Sequence, residues 1–118
     1  LASISLSSDI SVLTCVANDY SYEDVFSRQI SSLGKKGDLL ICLSTSGDSP
    51  NIIKAINEAD KKGIEVLCFL GKKGGKASKL VKEKIIVESN TTARIQEIHL
   101  MIGHIIVELV EDLFGYGK

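Results

Sequence analysis

The sequence has little that would suggest a disulfide framework, a membrane segment or a polyanion-binding surface. Its three cysteines, Cys15, Cys42 and Cys68, are scattered among apolar neighbours without paired spacing. That argues against disulfides or a cysteine-ligated metal and predicts reduced, buried thiols. Fourteen Lys plus Arg balance fifteen Asp plus Glu, with no run of one sign. Bulk electrostatic binding of nucleic acid or a membrane is therefore not expected, while a small, neutral or locally anionic partner remains open. No apolar run approaches the roughly 18 residues needed to span a bilayer. The first residues lack the basic, apolar, small-residue order of a signal peptide, so the chain reads as cytoplasmic. There is no internal repeat and no low-complexity segment. A hydrophobic content of 44% over 118 residues predicts one globular domain, 1–118, with a single core.

What is present alternates. "DLLICLS" (38–44) and "IEVLCFLG" (64–71) are short, nearly continuous apolar runs, the pattern of parallel strands covered on both faces. "KIIVES" (84–89) is a third such run. Between the first two, Ile52, Ile53, Ile56 and Ala59 recur at helical spacing and stop at Gly63, which completes a β-α-β unit. "SYEDVFSRQISSLG" sets Ser21 and Asp24 in capping-box spacing and carries Phe26, Ile30 and Leu33 up to Gly34, predicting one helix. Residues 9–17 give a weaker helical pattern through Ile10, Leu13 and Val16. From about Thr92 to Phe114 an apolar stripe through Ile95, Ile98, Ile102, Ile105, Leu109 and Leu113 predicts the longest helix. The chain opens on Leu1, and "LASISL" already alternates like a strand, so it reads as beginning mid-domain. The fold class expected is α/β, a doubly wound parallel sheet whose binding crevice lies at the carboxyl ends of the strands.

The stretch "CLSTSGDSPNIIKAI" falls at such an end. Ser44, Thr45, Ser46 and Gly47 leave the strand directly, and Ser49 and Pro50 occupy the N-cap and first helical positions. Converging hydroxyls, free N–H groups and the positive end of the helix dipole suit a phosphate. The alternative is that Ser49 only caps the helix and the other serines fill a turn. Asp48 weighs against an anion unless it points away. "GKKGGKAS" (71–78) is not a P-loop, because Leu70 stands where the first glycine would be and Ala77 where the hydroxyl residue would be. It reads as a flexible loop with solvated lysines, or as a support near an anionic ligand.

The combination of "STSGDSPNIIKAI", "GKKGGK" and "TARIQEIHLMIGHIIVELVE", with "CVANDYSYEDVFSRQI" upstream, closely resembles the sugar isomerase (SIS) family. Within it the likeness is to the phosphoheptose isomerases, which interconvert sedoheptulose 7-phosphate and D-glycero-D-manno-heptose 7-phosphate. The resemblance implies a flavodoxin-like, five-stranded parallel sheet between helices, a homotetramer with shared active sites, and a place in bacterial heptose biosynthesis for lipopolysaccharide or capsule. It also implies that the N-terminal side of the domain precedes Leu1, including a helix with a metal-ligand histidine and a catalytic glutamate. By the same likeness, Ser44, Thr45, Ser46 and Ser49 would contact the sugar phosphate, and Asn18 and Asp19 the substrate. From the residues alone, Asn18 and Asp19 read equally as a helix C-terminal turn.

The resemblance further makes Gln96 a substrate and zinc ligand, and makes His104 a zinc ligand and the general acid of an enediol isomerisation. Spacing alone does not show this: eight helical residues span about 12 Å and about 80° of rotation, and a lone histidine in an apolar stripe is ordinarily a packing residue. His99 has no such match and is expected to be structural or at the surface. Imidazole suits the acid role because it exchanges protons near neutral pH. The alternative class is a non-catalytic SIS protein, either a phosphosugar-binding regulator or an adaptor for the replication initiator. An isomerase requires His104, whereas an adaptor does not.

Overall fold

In a computed structural model, which describes residues 1–117, the chain forms α1 (Ile10–Asp19), a 3-10 turn (Tyr22–Asp24), α2 (Ser27–Leu33), β1 (Leu39–Ser44), α3 (Pro50–Lys62), β2 (Glu65–Gly71), α4 (Ala77–Leu80), β3 (Glu83–Val87) and α5 (Thr92–Leu113). The strands make one sheet in the order β1-β2-β3. Both pairings are parallel, with Cys42 opposite Cys68 and Leu67 opposite Glu83. Parallel neighbours need a crossover, and α3 supplies the first one. The apolar stripe of α3 faces the sheet, and the helix stops at Gly63, as its spacing predicts.

Both faces of β2 are covered toward its carboxyl end, which is why its sequence is apolar from Val66 on. On one face Cys42, Cys68 and Leu70 pack with Ile56 of α3, Ala77 and Val81. A second cluster of Ile30, Ala55, Ala59 and Ile64 joins α2 to α3. On the other face α5 packs against β2, where the His99 ring meets Phe69 with ring centroids 5.8 Å apart. Ile56, Leu70 and Ile95 are among the largest fully buried side chains, each contributing about 1.5–3 kcal/mol of transfer free energy. The architecture is thus the expected parallel α/β sheet with helices on both faces. Among the described residues no helix is long and apolar enough to cross a membrane.

Several expectations need correction. "LASISL" forms no strand and leads into a turn, because a strand needs a neighbour and none of the three strands pairs with it. The described residues supply three strands of the sheet, the five implied by the resemblance being those of the complete domain. The predicted helix from Ser21 is broken into the 3-10 turn and α2. Ser21 Oγ accepts the Glu23 N–H at 3.1 Å, only two residues on. Asp24 does not close a capping box, since its carboxylate accepts from Lys54 Nζ at 2.9 Å. Lys54 also pairs with Glu23 at 3.2 Å, and these two carboxylates, Asp24 foremost, push its ammonium above the usual lysine value.

Of the cysteines, Cys42 and Cys68 are buried but Cys15 is exposed on α1. The Cys68 sulfur beside it and then burial hold the Cys42 thiol well above its ordinary pKa, which favours an inert thiol in the core.

The long stripe of α5 is buried only at Ile95 and His99. Leu100, Met101, Ile105, Val107 and Leu109 are exposed, and so are Leu39, Ile41 and Leu43 along β1. The cause is geometric. β1 is an edge strand, and the helix on its side of the sheet lies over β2.

Candidate functional site

The serine loop forms because β1 ends at Ser44 and α3 begins at Pro50, leaving five residues to turn the chain over the sheet end. Ser44 is buried, and its Oγ accepts the Gly47 N–H at 3.1 Å and lies 3.4 Å from Ser49 Oγ. Ser46 Oγ accepts the Asp48 N–H at 3.1 Å, which commits it to the turn. Ser49 sits at the N-cap but its side chain makes no capping bond, so the reading of Ser49 as only a cap does not hold. The Ile52 N–H is taken by Asn51 Oδ1 at 2.9 Å. The Ser49 hydroxyl therefore stands at the positive end of α3 without serving the helix, an arrangement suited to an anion.

A second loop braces the first. Gly47 has φ +69°, and a Cβ there would overlap the Gly74 carbonyl. Gly75 has φ +54°, and a Cβ there would stand 2.5 Å from the Ser46 carbonyl oxygen. Only glycine permits both the left-handed backbone and this approach. The Ala77 N–H donates to the Gly47 carbonyl at 2.9 Å and the Lys76 N–H to Asp48 Oδ1 at 3.0 Å. The glycine-rich segment is thus a buttress rather than the flexible loop its composition predicts. Asp48 is turned toward that buttress, which answers the objection to a carboxylate beside an anion. Lys72, Lys73 and Lys76 are exposed, as expected.

A cleft of about 460 Å³ opens between this loop and α5, lined by Leu43, Ser44, Thr45 and Ser49 on one side and Gln96, His99 and Leu100 on the other. Its volume and mixed lining fit a small polar ligand. Of the residues singled out from the sequence, the structure brings Ser44, Thr45, Ser49 and Gln96 together here. Ser46 stands outside the lining. Asn18 and Asp19 end α1, exposed and bonded to each other through Asn18 Nδ2 and Asp19 Oδ1 at 2.8 Å, away from the cleft walls.

His104 is exposed on α5, two turns beyond Gln96, and is not part of the lining. His99 is the residue that sequence reasoning missed, being 3% exposed and part of the cleft wall. Its spacing of three from Gln96 was the available signal, since residues three apart share a helix face.

Gln96 and His104 offer one amide oxygen and one imidazole. Among the described residues no group of three His, Cys, Asp or Glu converges on a point. The described donors do not by themselves fit a zinc ion.

A profile of the SIS domain matches residues 1–71. The chain is 48% identical over 114 residues to a phosphoheptose isomerase of a Nitratiruptor species, covering 97% of this chain and 61% of that protein. The solved structure of a phosphoheptose isomerase from Neisseria gonorrhoeae superposes with a TM-score of 0.87 at 40% identity, over 88% of this chain and 59% of the other. One from Francisella tularensis gives 0.90 at 32% identity, over 92% and 59%. The chain therefore spans about three fifths of the length of these relatives. A parallel sheet wound on both faces, a hydroxyl-rich loop at a strand end and a match over more than half the residues place the chain in one family: it belongs to the SIS domain family.

Proposed function

We propose that the full-length protein is a cytoplasmic sugar phosphate isomerase that interconverts sedoheptulose 7-phosphate and D-glycero-D-manno-heptose 7-phosphate through an enediol, in heptose biosynthesis. The observation that supports this most is the hydroxyl loop at the N-terminus of α3, facing Gln96 across one cleft, in a chain so similar to phosphoheptose isomerases. On this reading residues 1–118 are an SIS domain continued on its N-terminal side. Ser44, Thr45 and Ser49, with the α3 N-terminus, hold the phosphate, and Ser46 shapes their loop. Gln96 orients the open-chain sugar, and Asn18 and Asp19 meet substrate when the domain is complete. His104 gives and takes the oxygen proton while a base outside the chain moves the proton on carbon. Gln96 and His104 are two ligands of a zinc ion that is completed from outside this chain. A regulatory SIS protein would share the loop but have no need of His104.

The test is conversion of sedoheptulose 7-phosphate by the full-length protein, followed by resolving the two heptose phosphates. No conversion of any phosphosugar would sink the isomerase reading. Within the loop, Thr45→Val removes one hydroxyl at nearly constant volume. Affinity for sedoheptulose 7-phosphate in titration calorimetry is expected to fall about 10- to 100-fold, the scale of one hydrogen bond to a charged group. An unchanged affinity would remove Thr45 from the phosphate site.

The exposed apolar rows of α5 and β1 are too continuous for a solvated surface, and they support assembly as a homotetramer. Light scattering at micromolar concentration is expected to give four times the subunit mass. A monomeric mass would refute the assembly.

A further inference from the structure

His99 is a buried polar side chain that the proposed chemistry does not use. Its Nε2 lies 3.0 Å from the Leu70 carbonyl oxygen. A carbonyl only accepts, so Nε2 carries the proton, and in the neutral ring Nδ1 keeps the lone pair. The ring has no freedom to exchange these roles by flipping, because it is 3% exposed and packed on Phe69. Among the described residues, no buried side-chain nitrogen or oxygen lacks a hydrogen-bond partner. Nδ1 has no hydrogen-bond partner among the described residues, so it is not fully enclosed, and His99 lines the cleft shared with Ser44, Thr45, Ser49 and Gln96.

We propose that His99 is a substrate-binding residue, its Nδ1 accepting a hydrogen bond from a hydroxyl of the sugar chain while the Leu70 carbonyl fixes the ring. This rests on the reading of the cleft as a phosphosugar site and adds a determinant for the polyol portion of the ligand. The phosphate is left to the serine loop. A fixed acceptor discriminates once the bound ligand covers it, because a ligand without a hydroxyl there leaves it unpaired.

Two substitutions separate the ring's two nitrogens. His99→Gln keeps an N–H donor near the Nε2 position for Leu70 and removes the Nδ1 acceptor. His99→Asn places an acceptor near Nδ1 and gives up the Leu70 contact. Both are titrated in the full-length protein with sedoheptulose 7-phosphate and with inorganic phosphate, alongside thermal unfolding.

His99→Gln is expected to unfold near the wild-type temperature and bind inorganic phosphate as the wild type does. Its affinity for the sugar phosphate is expected to be about 5- to 30-fold weaker. His99→Asn is expected to unfold at lower temperature yet keep the wild-type ratio of the two affinities. If His99→Gln binds the sugar phosphate like the wild type, or loses both ligands equally, the ring only packs and the proposal fails. If the wild type itself binds sugar phosphate no better than inorganic phosphate, the phosphosugar reading fails and takes this one with it.

Discussion

Replacing His104 with Gln in the full-length protein is expected to lower turnover of sedoheptulose 7-phosphate about 10²- to 10⁴-fold, the range for loss of a general acid or base. Gln keeps a polar side chain of similar reach but removes the group that titrates. Folding is expected to survive, because His104 is exposed and contributes nothing to the buried side of α5, which consists of Ile95 and His99. Substrate affinity is expected to fall much less than turnover, because the serine loop is untouched. Turnover, affinity and zinc content measured together on both proteins separate the roles. Equal turnover would remove His104 from the mechanism. A loss of affinity as large as the loss of turnover would make it a binding residue instead.

A loss of stability and of phosphate binding is expected from Gly75→Ala, at a residue outside the cleft lining. The new Cβ would stand 2.5 Å from the Ser46 carbonyl oxygen and 2.6 Å from the Gly47 carbonyl carbon, at φ +54°. Backbone atoms cannot swing aside as a side-chain end would, so the two loops must part. Left-handed strain costs about 1–3 kcal/mol and overpacking about 1–3 kcal/mol. Together they predict destabilisation of about 2–6 kcal/mol in urea unfolding. Because the displaced carbonyls belong to the serine loop, affinity for inorganic phosphate is expected to drop more than about tenfold, or about 1.4 kcal/mol. Lys76→Ala is the control. It retains the N–H that donates to Asp48, and its exposed side chain predicts a stability change within about 0.5 kcal/mol. Wild-type stability and phosphate affinity in Gly75→Ala would show that the loops move independently.

Local signals carried the reading far where an element's identity depends on its own residues. β2 was legible because a strand buried on both faces must be apolar throughout, and α3 because Pro50 and Gly63 bracket an amphipathic stretch. The serine loop was legible for the same reason, as a strand end, a turn and a helix start lie within seven residues, Ser44 to Pro50. "LASISL" alternates like a strand, but alternation only prepares a segment for pairing, and the neighbour decides. The Ser21–Asp24 spacing offered a capping box, but Lys54, 30 residues away, took the carboxylate.

The tertiary structure alone decided which hydroxyls face the cleft. Ser46 and Ser49 are chemically identical, yet one is bonded into its own turn while the other makes no capping bond at the helix end and lies 3.4 Å from Ser44 Oγ in the cleft wall. It also decided that the glycine-rich segment is a buttress, since a close approach of two backbones leaves no mark in either segment beyond the glycines themselves. The roles of the two histidines of α5 were divided in the same way. The family resemblance pointed to His104 and gave His99 no match, but the sheet beneath the helix buries His99 in the cleft wall and leaves His104 exposed. A residue's type and spacing fix what it can do, and packing from distant parts of the chain fixes which of its atoms are left to do it.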